Sequence, residues 1–166
     1  AAQGMTNQLI RSTALGINPR ETARRMQDGS TRSLNRMLNI ARTEQLRVYR
    51  QTARQSYQTS GVVDGYYRLA TRDSRTCLAC LMDDGHFYEL DEEMPEHASG
   101  RCTQVPKVSG VKRPEWQQGP DWFTEQPPDT QKSILGKGRY EAWQRGEFDL
   151  DQVVAVKQNK TWGDSL

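Results

Sequence analysis

The residues best suited to chemistry are Cys77 and Cys80, then His97, then Cys102: every cysteine in the chain and one of its two histidines. Two residues separate the first pair, sixteen separate Cys80 from His97, and four separate His97 from Cys102. That spacing matches a structural zinc site of the three-cysteine, one-histidine type, with two ligands on a turn facing two from a returning segment. Tetrahedral zinc takes four soft or borderline donors, and these four would close its shell against water, so the ion would be a scaffold and not a catalyst. The competing readings are free thiols and a redox Cys-x-x-Cys, although no thioredoxin-like βαβ pattern surrounds the pair. An odd number of cysteines makes a poor disulfide framework and a better metal set in a reducing compartment. His86, between a turn and Phe87-Tyr88, reads as a packing or surface residue.

The rest of the composition explains why a metal would be needed. Only 34% of the 166 residues are hydrophobic and the mean hydropathy is −0.89, so the core must be small. A small sheet with few apolar residues cannot supply its own folding energy, whereas structural zinc contributes roughly 10–16 kcal/mol of apparent binding energy. The length fits one or two domains. No apolar run approaches the ~18 residues needed to span a bilayer, which excludes an integral membrane role. Ala1-Ala2-Gln3-Gly4 has neither an initiator Met nor the layout of a signal peptide, and reads as a cut end of a longer protein.

Other chemistry finds little support. Asp73, Asp83, Asp84, Glu89, Asp91, Glu92, Glu93 and Glu96 form a dense acidic stretch, but no apolar surroundings set one carboxylate apart as an acid or base. There is no Gly-rich phosphate loop and no Ser/His/Asp set, so the chain is expected not to be an enzyme. Two polar groups suggest structural networks instead. Asp73, Arg75 and Thr76 immediately precede Cys77 and can hydrogen-bond around a metal knuckle. Arg42-Thr43-Glu44 interrupts an apolar helical stripe and points to a buried or interface network. Arg75 is expected to pair with Glu44.

These residues need elements to hold them. Asn18-Pro19-Arg20-Glu21 starts a short helix, with an N-cap, a Pro at the first position and Glu three residues after the cap; Asp28-Gly29 ends it. Ser30 or Thr31 then caps a long helix in which Leu34, Met37, Leu38, Ala41, Val48, Tyr49, Ala53 and Tyr57 recur at three- and four-residue steps. Gly61 stops it. Val62 to Arg72 reads as a strand broken near Asp64-Gly65, His86 to Leu90 as a second after the Asp83-Asp84-Gly85 turn, and Cys102 to Val105 as a third. From Pro106 to Pro128 an extended arm is expected, anchored by Trp116, Trp122 and Phe123. Short helices follow, capped by Asp129 or Thr130 and ending at Gly136, then through Tyr140, Ala142 and Trp143 to Gly146, then over Leu150 to Val154. The fold class is α+β: a long N-terminal helix, a small zinc-stapled antiparallel sheet, an extended arm and short C-terminal helices. The expected segments are 1–60 (Arg-rich, helical), 61–106 (zinc-binding β module), 107–128 (arm) and 129–166 (helical), integrated in one domain.

The net charge of +2 conceals an asymmetry: residues 1–60 carry ten Arg and three acids, for +7, residues 61–100 sum to −6 and the remainder to +1. Arg32, Arg36, Arg47, Arg50 and Arg54 fall largely off the apolar stripe, as a basic outer face. It could meet phosphate or an acidic protein, or simply be solvated.

Arg42-Thr43-Glu44 in a long helix, Asp73-x-Arg75-Thr76-Cys77-x-x-Cys80, Asp84-Gly85, Pro95 and His97 before Arg101-Cys102 together resemble the phage Mu F-like minor head proteins, or phage head morphogenesis proteins. Gln126-Pro127, Gln131, Ile134-Leu135-Gly136, Tyr140, Trp143 and Gly146 look like the end of the same domain, so the resemblance runs over about residues 15–166. Gly100 stands where the family often has a further Cys, which makes Cys102 the fourth ligand. The resemblance implies a structural minor capsid protein of a tailed bacteriophage, inside the virion head, assembled in the host bacterial cytoplasm and present in several copies. It implies as partners the portal and other head proteins, with packaged DNA a further candidate, and a role in head morphogenesis, DNA packaging or delivery. The alternative reading is a zinc-stabilised nucleic-acid-binding module, although the zinc region's negative charge would repel phosphate.

Overall fold

The computed structural model describes residues 2–27 and 33–153. The chain divides into two units, Ala1–Ala53 with His97–Gly100, and Arg54–Glu96 with Arg101–Leu166.

The first unit begins with α1 (Ala2–Ala14), for which the sequence offers no start signal of its own and which ends as Gly16 turns to φ +62°. α2 (Pro19–Gln27) starts as anticipated. The Asn18 side-chain oxygen accepts the Arg20 backbone N–H at 2.9 Å, satisfying one of the donors a helix start leaves orphaned. The expected stop at Asp28-Gly29 and the caps at Ser30 and Thr31 lie outside the described residues. In their place Ser33 serves α3 (Leu34–Ser60), its hydroxyl accepting the Arg36 N–H at 3.4 Å. Ala23 and Met26 of α2 bury against Met37 and Ala41 of α3, with Met5 and Leu9 of α1 packed on this cluster.

The apolar stripe of α3 does not run its whole length. Val48 and Tyr49 are 44% and 63% exposed, while Arg50 is only 6% exposed. The guanidinium of Arg50 donates to the Gly100 carbonyl at 3.0 Å, and a side chain with five donors can be buried where carbonyls receive it. Asn39, Thr43 and Arg50, at steps of four and seven, thus make a polar stripe that holds residues 97–100.

In the second unit α3 ends at Ser60, and Gly61 takes φ +69°. β1 (Val63–Leu69), β2 (Phe87–Glu89) and β3 (Thr103–Val108) form an antiparallel sheet in the order β2-β1-β3. The break expected near Asp64-Gly65 is a bulge between Val63 and Gly65 in the β1–β3 register. Gly65 is required there: a Cβ would lie 2.3 Å from the Phe87 ring. Pro106 is accommodated because β3 is an edge strand. Tyr66 is fully buried and stacks on Tyr88 across the sheet, ring centroids 5.6 Å apart. These two rings pack with Ala70, Cys80, Met94 and Cys102, so two of the three cysteines belong to this core.

A second cluster in this unit joins α4 (Leu78–Met82) to the C-terminal helices α5 (Gly119–Thr124), α6 (Pro128–Leu135) and α7 (Lys137–Gln144) and a 3-10 turn at Leu150–Val153. Here the expected arm is corrected. Trp122 and Phe123 are helical, because Pro120 sits in the first turn of α5, where its missing N–H costs nothing. Phe123 is fully buried against Leu78, Leu81 and Leu135. Val154, the expected end of the last helix, lies outside the described residues.

Candidate metal centre

The approach to Cys77 is a tight turn wound around one carboxylate. Oδ1 of Asp73 accepts from the Arg75 N–H and the Thr76 hydroxyl, each at 3.0 Å. The Arg101 guanidinium then grips both Asp73 oxygens at 2.7 and 2.6 Å, a bidentate pair of the strong kind. Its partner, with help from Thr76, holds the Asp73 carboxyl well below the usual carboxylate range despite its slight burial. Clamping Arg101 to the turn also brings its neighbour Cys102 to the cysteine pair. Cys77 then caps α4, its Sγ accepting the Cys80 backbone N–H at 3.4 Å. Such N–H donation favours a thiolate sulfur.

The ligand atoms of Cys77, Cys80 and His97 all lie within 4.8 Å of one another. A tetrahedral ion with sulfur bonds near 2.3 Å spaces its ligands by about 3.8 Å, so closure asks for side-chain shifts of about 1 Å or less. Cys77 is exposed, Cys80 and Cys102 are buried and His97 is half-buried. His97 Nδ1 lies 3.0 Å from the Ala98 carbonyl; a proton on Nδ1 donated there leaves the ring's lone pair on Nε2, the arrangement that metal-binding histidines use. The residues 97–100 are in turn anchored on α3: the Ser99 N–H donates to the Thr43 hydroxyl at 2.9 Å, the Ser99 hydroxyl bonds the Asn39 side chain, and Arg50 holds Gly100. Cys102 stands outside the group of three but beside Cys80. Hydrogen bonding from the Cys102 and Cys77 thiols, followed by burial, pushes the Cys80 thiol up. Arg68 opposes that rise, and a divalent cation bound beside the sulfur would oppose it further. The donor set therefore fits zinc, with Cys77, Cys80 and His97 as first holders and Cys102, beside Cys80, the candidate fourth.

Sequence reasoning missed Arg68. It is fully buried on β1, where its Nη1 donates to Asp83 at 3.1 Å and the Pro95 carbonyl at 2.8 Å, while Nη2 donates to Cys80 Sγ at 3.4 Å. The Tyr88 hydroxyl shares the same Asp83 oxygen at 2.5 Å. Burial opposes the Arg68 charge, but Cys102, Cys80, Glu96 and Asp83 together hold its proton more tightly than usual. Arg101, likewise unanticipated, had one signal in the sequence: a basic residue next to a candidate ligand, with an Asp four residues before another.

Of the remaining candidates, Arg75 pairs with Asp73 at 3.5 Å and Glu44 with Arg47 at 3.8 Å, which corrects the expected Arg75–Glu44 pair. Thr43 joins a network through Ser99, while Arg42 is exposed. The basic face is also reduced: Arg50 is buried, Arg54 donates to the carbonyls of Asp91 and Glu92 at 3.3 and 3.1 Å, and Arg32 lies outside the described residues. Arg36 remains exposed. Within the acidic stretch Asp84 is buried, bound by Arg72 and the Ala70 N–H, each at 2.7 Å. His86 is at the surface, 58% exposed. No helix among the described residues is long and apolar enough to cross a membrane.

A mixed α+β chain with a cysteine–histidine cluster between short strands defines a class, and comparison with known families narrows it. The family model described as Phage Mu protein F like protein matches residues 3–107. The chain belongs to this family of phage head morphogenesis proteins. Its match includes all four candidate ligands and ends before α5, so the likeness noted at Gln126-Pro127 and beyond falls outside it. Neither the curated proteins nor the solved structures compared gave a match.

Proposed function

We propose that the chain is a structural minor head protein of a tailed bacteriophage, seated on the portal inside the head and acting in head morphogenesis, DNA packaging or delivery, with zinc as its scaffold and no catalytic turnover. The family match across the whole cysteine–histidine region supports the head assignment. The observation that carries the scaffold role is the convergence of Cys77, Cys80 and His97 within 4.8 Å, with Cys102 against Cys80. Bound there, zinc would hold these side chains in one shell, its chemistry limited to Lewis-acid attraction for thiolate and imidazole. Several copies per virion, assembled in the host cytoplasm, follow from the same assignment.

The nucleic-acid reading draws on the arginine block, and the internal use of Arg50 and Arg54 weakens it. The discriminating experiment is co-purification of tagged chain with the portal from phage heads across a salt series. Retention at 1 M salt, where the Debye length is only about 3 Å, is the expected result. Release together with DNA at moderate salt would refute portal seating in favour of phosphate binding.

A further inference from the structure

We propose that Arg68 is the built-in counter-ion of the metal centre, donating a hydrogen bond to the Cys80 sulfur and offsetting the centre's surplus negative charge. This rests on the zinc reading above and extends it to a residue outside the ligand set. Three thiolates and a neutral imidazole around a divalent ion leave one net negative charge. Cys80 and Cys102, which carry two of the thiolates, are only 2% and 3% exposed. A buried charge needs a partner, and Arg68, fully buried beside Cys80, is a cation at that depth.

Its other contacts do not account for it alone. Asp83 is the carboxylate it contacts, at 3.1 Å, with Glu96 a further negative charge acting on it, and the Asp83 oxygen is already bonded to Tyr88 at 2.5 Å. The Pro95 carbonyl takes a further donor without neutralising charge. Nη2 is directed to Cys80 Sγ at 3.4 Å, within range for a sulfur acceptor. Nε of Arg68 is buried with no hydrogen-bond partner among the described residues, so the guanidinium is set by its two outer nitrogens. Arginine suits this double duty, since one Nη can hold Asp83 and Pro95 while the other serves the sulfur. Lysine, a point charge on a flexible stem, cannot do both with one geometry.

Cobalt(II) titration of the full chain tests the inference, because the thiolate-to-cobalt charge-transfer band reports electron density on sulfur. A donated hydrogen bond stabilises the sulfur lone pair and raises the band energy; its loss moves the band to longer wavelength. Arg68→Met is expected to shift the band to longer wavelength and weaken cobalt and zinc affinity by about 10–100-fold, the range for loss of an outer partner of a metal ligand. Asp83→Asn removes the carboxylate and keeps the N–H to sulfur, so it should lower thermal stability without moving the band to longer wavelength. If Met at 68 prevents folding, Arg68→Lys provides the comparison and should also shift the band. An unshifted band and unchanged affinity in a folded position-68 variant would overturn the counter-ion role and leave the zinc site standing. No thiolate–cobalt band in the unsubstituted chain would overturn both.

Discussion

Removing the metal should cost the second unit most of its stability, and the cost should depend on Cys80. At free zinc about a thousandfold above its dissociation constant, binding to the folded state alone contributes about 4.1 kcal/mol. For a chain of this size each kcal/mol moves the melting temperature by roughly 2–4 °C, so a chelator should lower it by roughly 8–16 °C. Cys80→Ala removes a ligand and also a core atom, since Cys80 packs with Tyr66, Tyr88 and Met94. The packing loss alone is on the order of 1–2 kcal/mol. The two contributions separate by comparison. With chelator present, Cys80→Ala should melt only a few degrees below the unsubstituted chain; with zinc present the gap should widen to the full shift. Near-UV circular dichroism of the stacked Tyr66–Tyr88 pair reports the relevant unit. The reasoning fails if chelator lowers both proteins equally, or neither, because the cysteine cluster would then be ordinary core.

Three further outcomes follow from particular contacts. Arg50→Ala unties Gly100 and should weaken zinc binding about tenfold through the His97 segment, measured by competition with a chromophoric chelator; unaltered affinity would mean that α3 does not position His97. Gly119→Ala places a Cβ 2.0 Å from the Leu81 carbonyl oxygen, a backbone atom that cannot swing aside. It should cost about 1–3 kcal/mol in urea unfolding, and a neutral result would mean that α4 and α5 are not packed this closely. Asp73 ionises more readily folded than unfolded, because of Arg101. Its contribution is therefore complete above the ordinary carboxylate value of about 3.9 and fades as the pH falls through the lower folded value. With both side chains about one-third exposed, that contribution is about 1 kcal/mol or less. The stability gap between the unsubstituted chain and Asp73→Asn should close in unfolding curves taken from pH 5 down to pH 2, and a gap that widens with acid would contradict the pairing.

The convergence of Cys77, Cys80 and His97 was legible because cysteine and histidine are scarce here and their types restrict the chemistry, while Cys102 stands outside that group. The helix starting at Pro19 and the three strands were legible because caps and alternation act over a few residues. The failures lie where the deciding partner is distant in sequence. Counting Val48 and Tyr49 as inward and Arg50 as outward follows residue type, but the partner that buries Arg50 is the Gly100 carbonyl, and no pattern in the helix announces it. Arg101 is separated from Asp73 in the same way. By sequence Phe123 falls in an extended arm because Gly119 and Pro120 read as loop punctuation, although Pro in a first turn starts a helix as readily as it interrupts one. α4 has five residues, too few to show a period.

The placement of arginine also decides how the charge asymmetry should be understood. Residues 61–100 sum to −6, yet two of their three arginines are committed to internal partners: Arg68 to Asp83 and Cys80, Arg72 to Asp84. The cations of this region thus serve buried groups, and Arg101 adds a third clamp on Asp73. Of the other carboxylates, Glu89, Asp91, Glu92 and Glu93 are all exposed. An acidic, solvated loop beside a cysteine cluster is the reverse of the electrostatics by which a zinc knuckle grips phosphate. A phosphate backbone would be drawn instead to exposed cations away from that loop, Arg36 and Arg42 among them, and the proposed scaffold role of the cysteine–histidine region is the one that its burial and crowding suit.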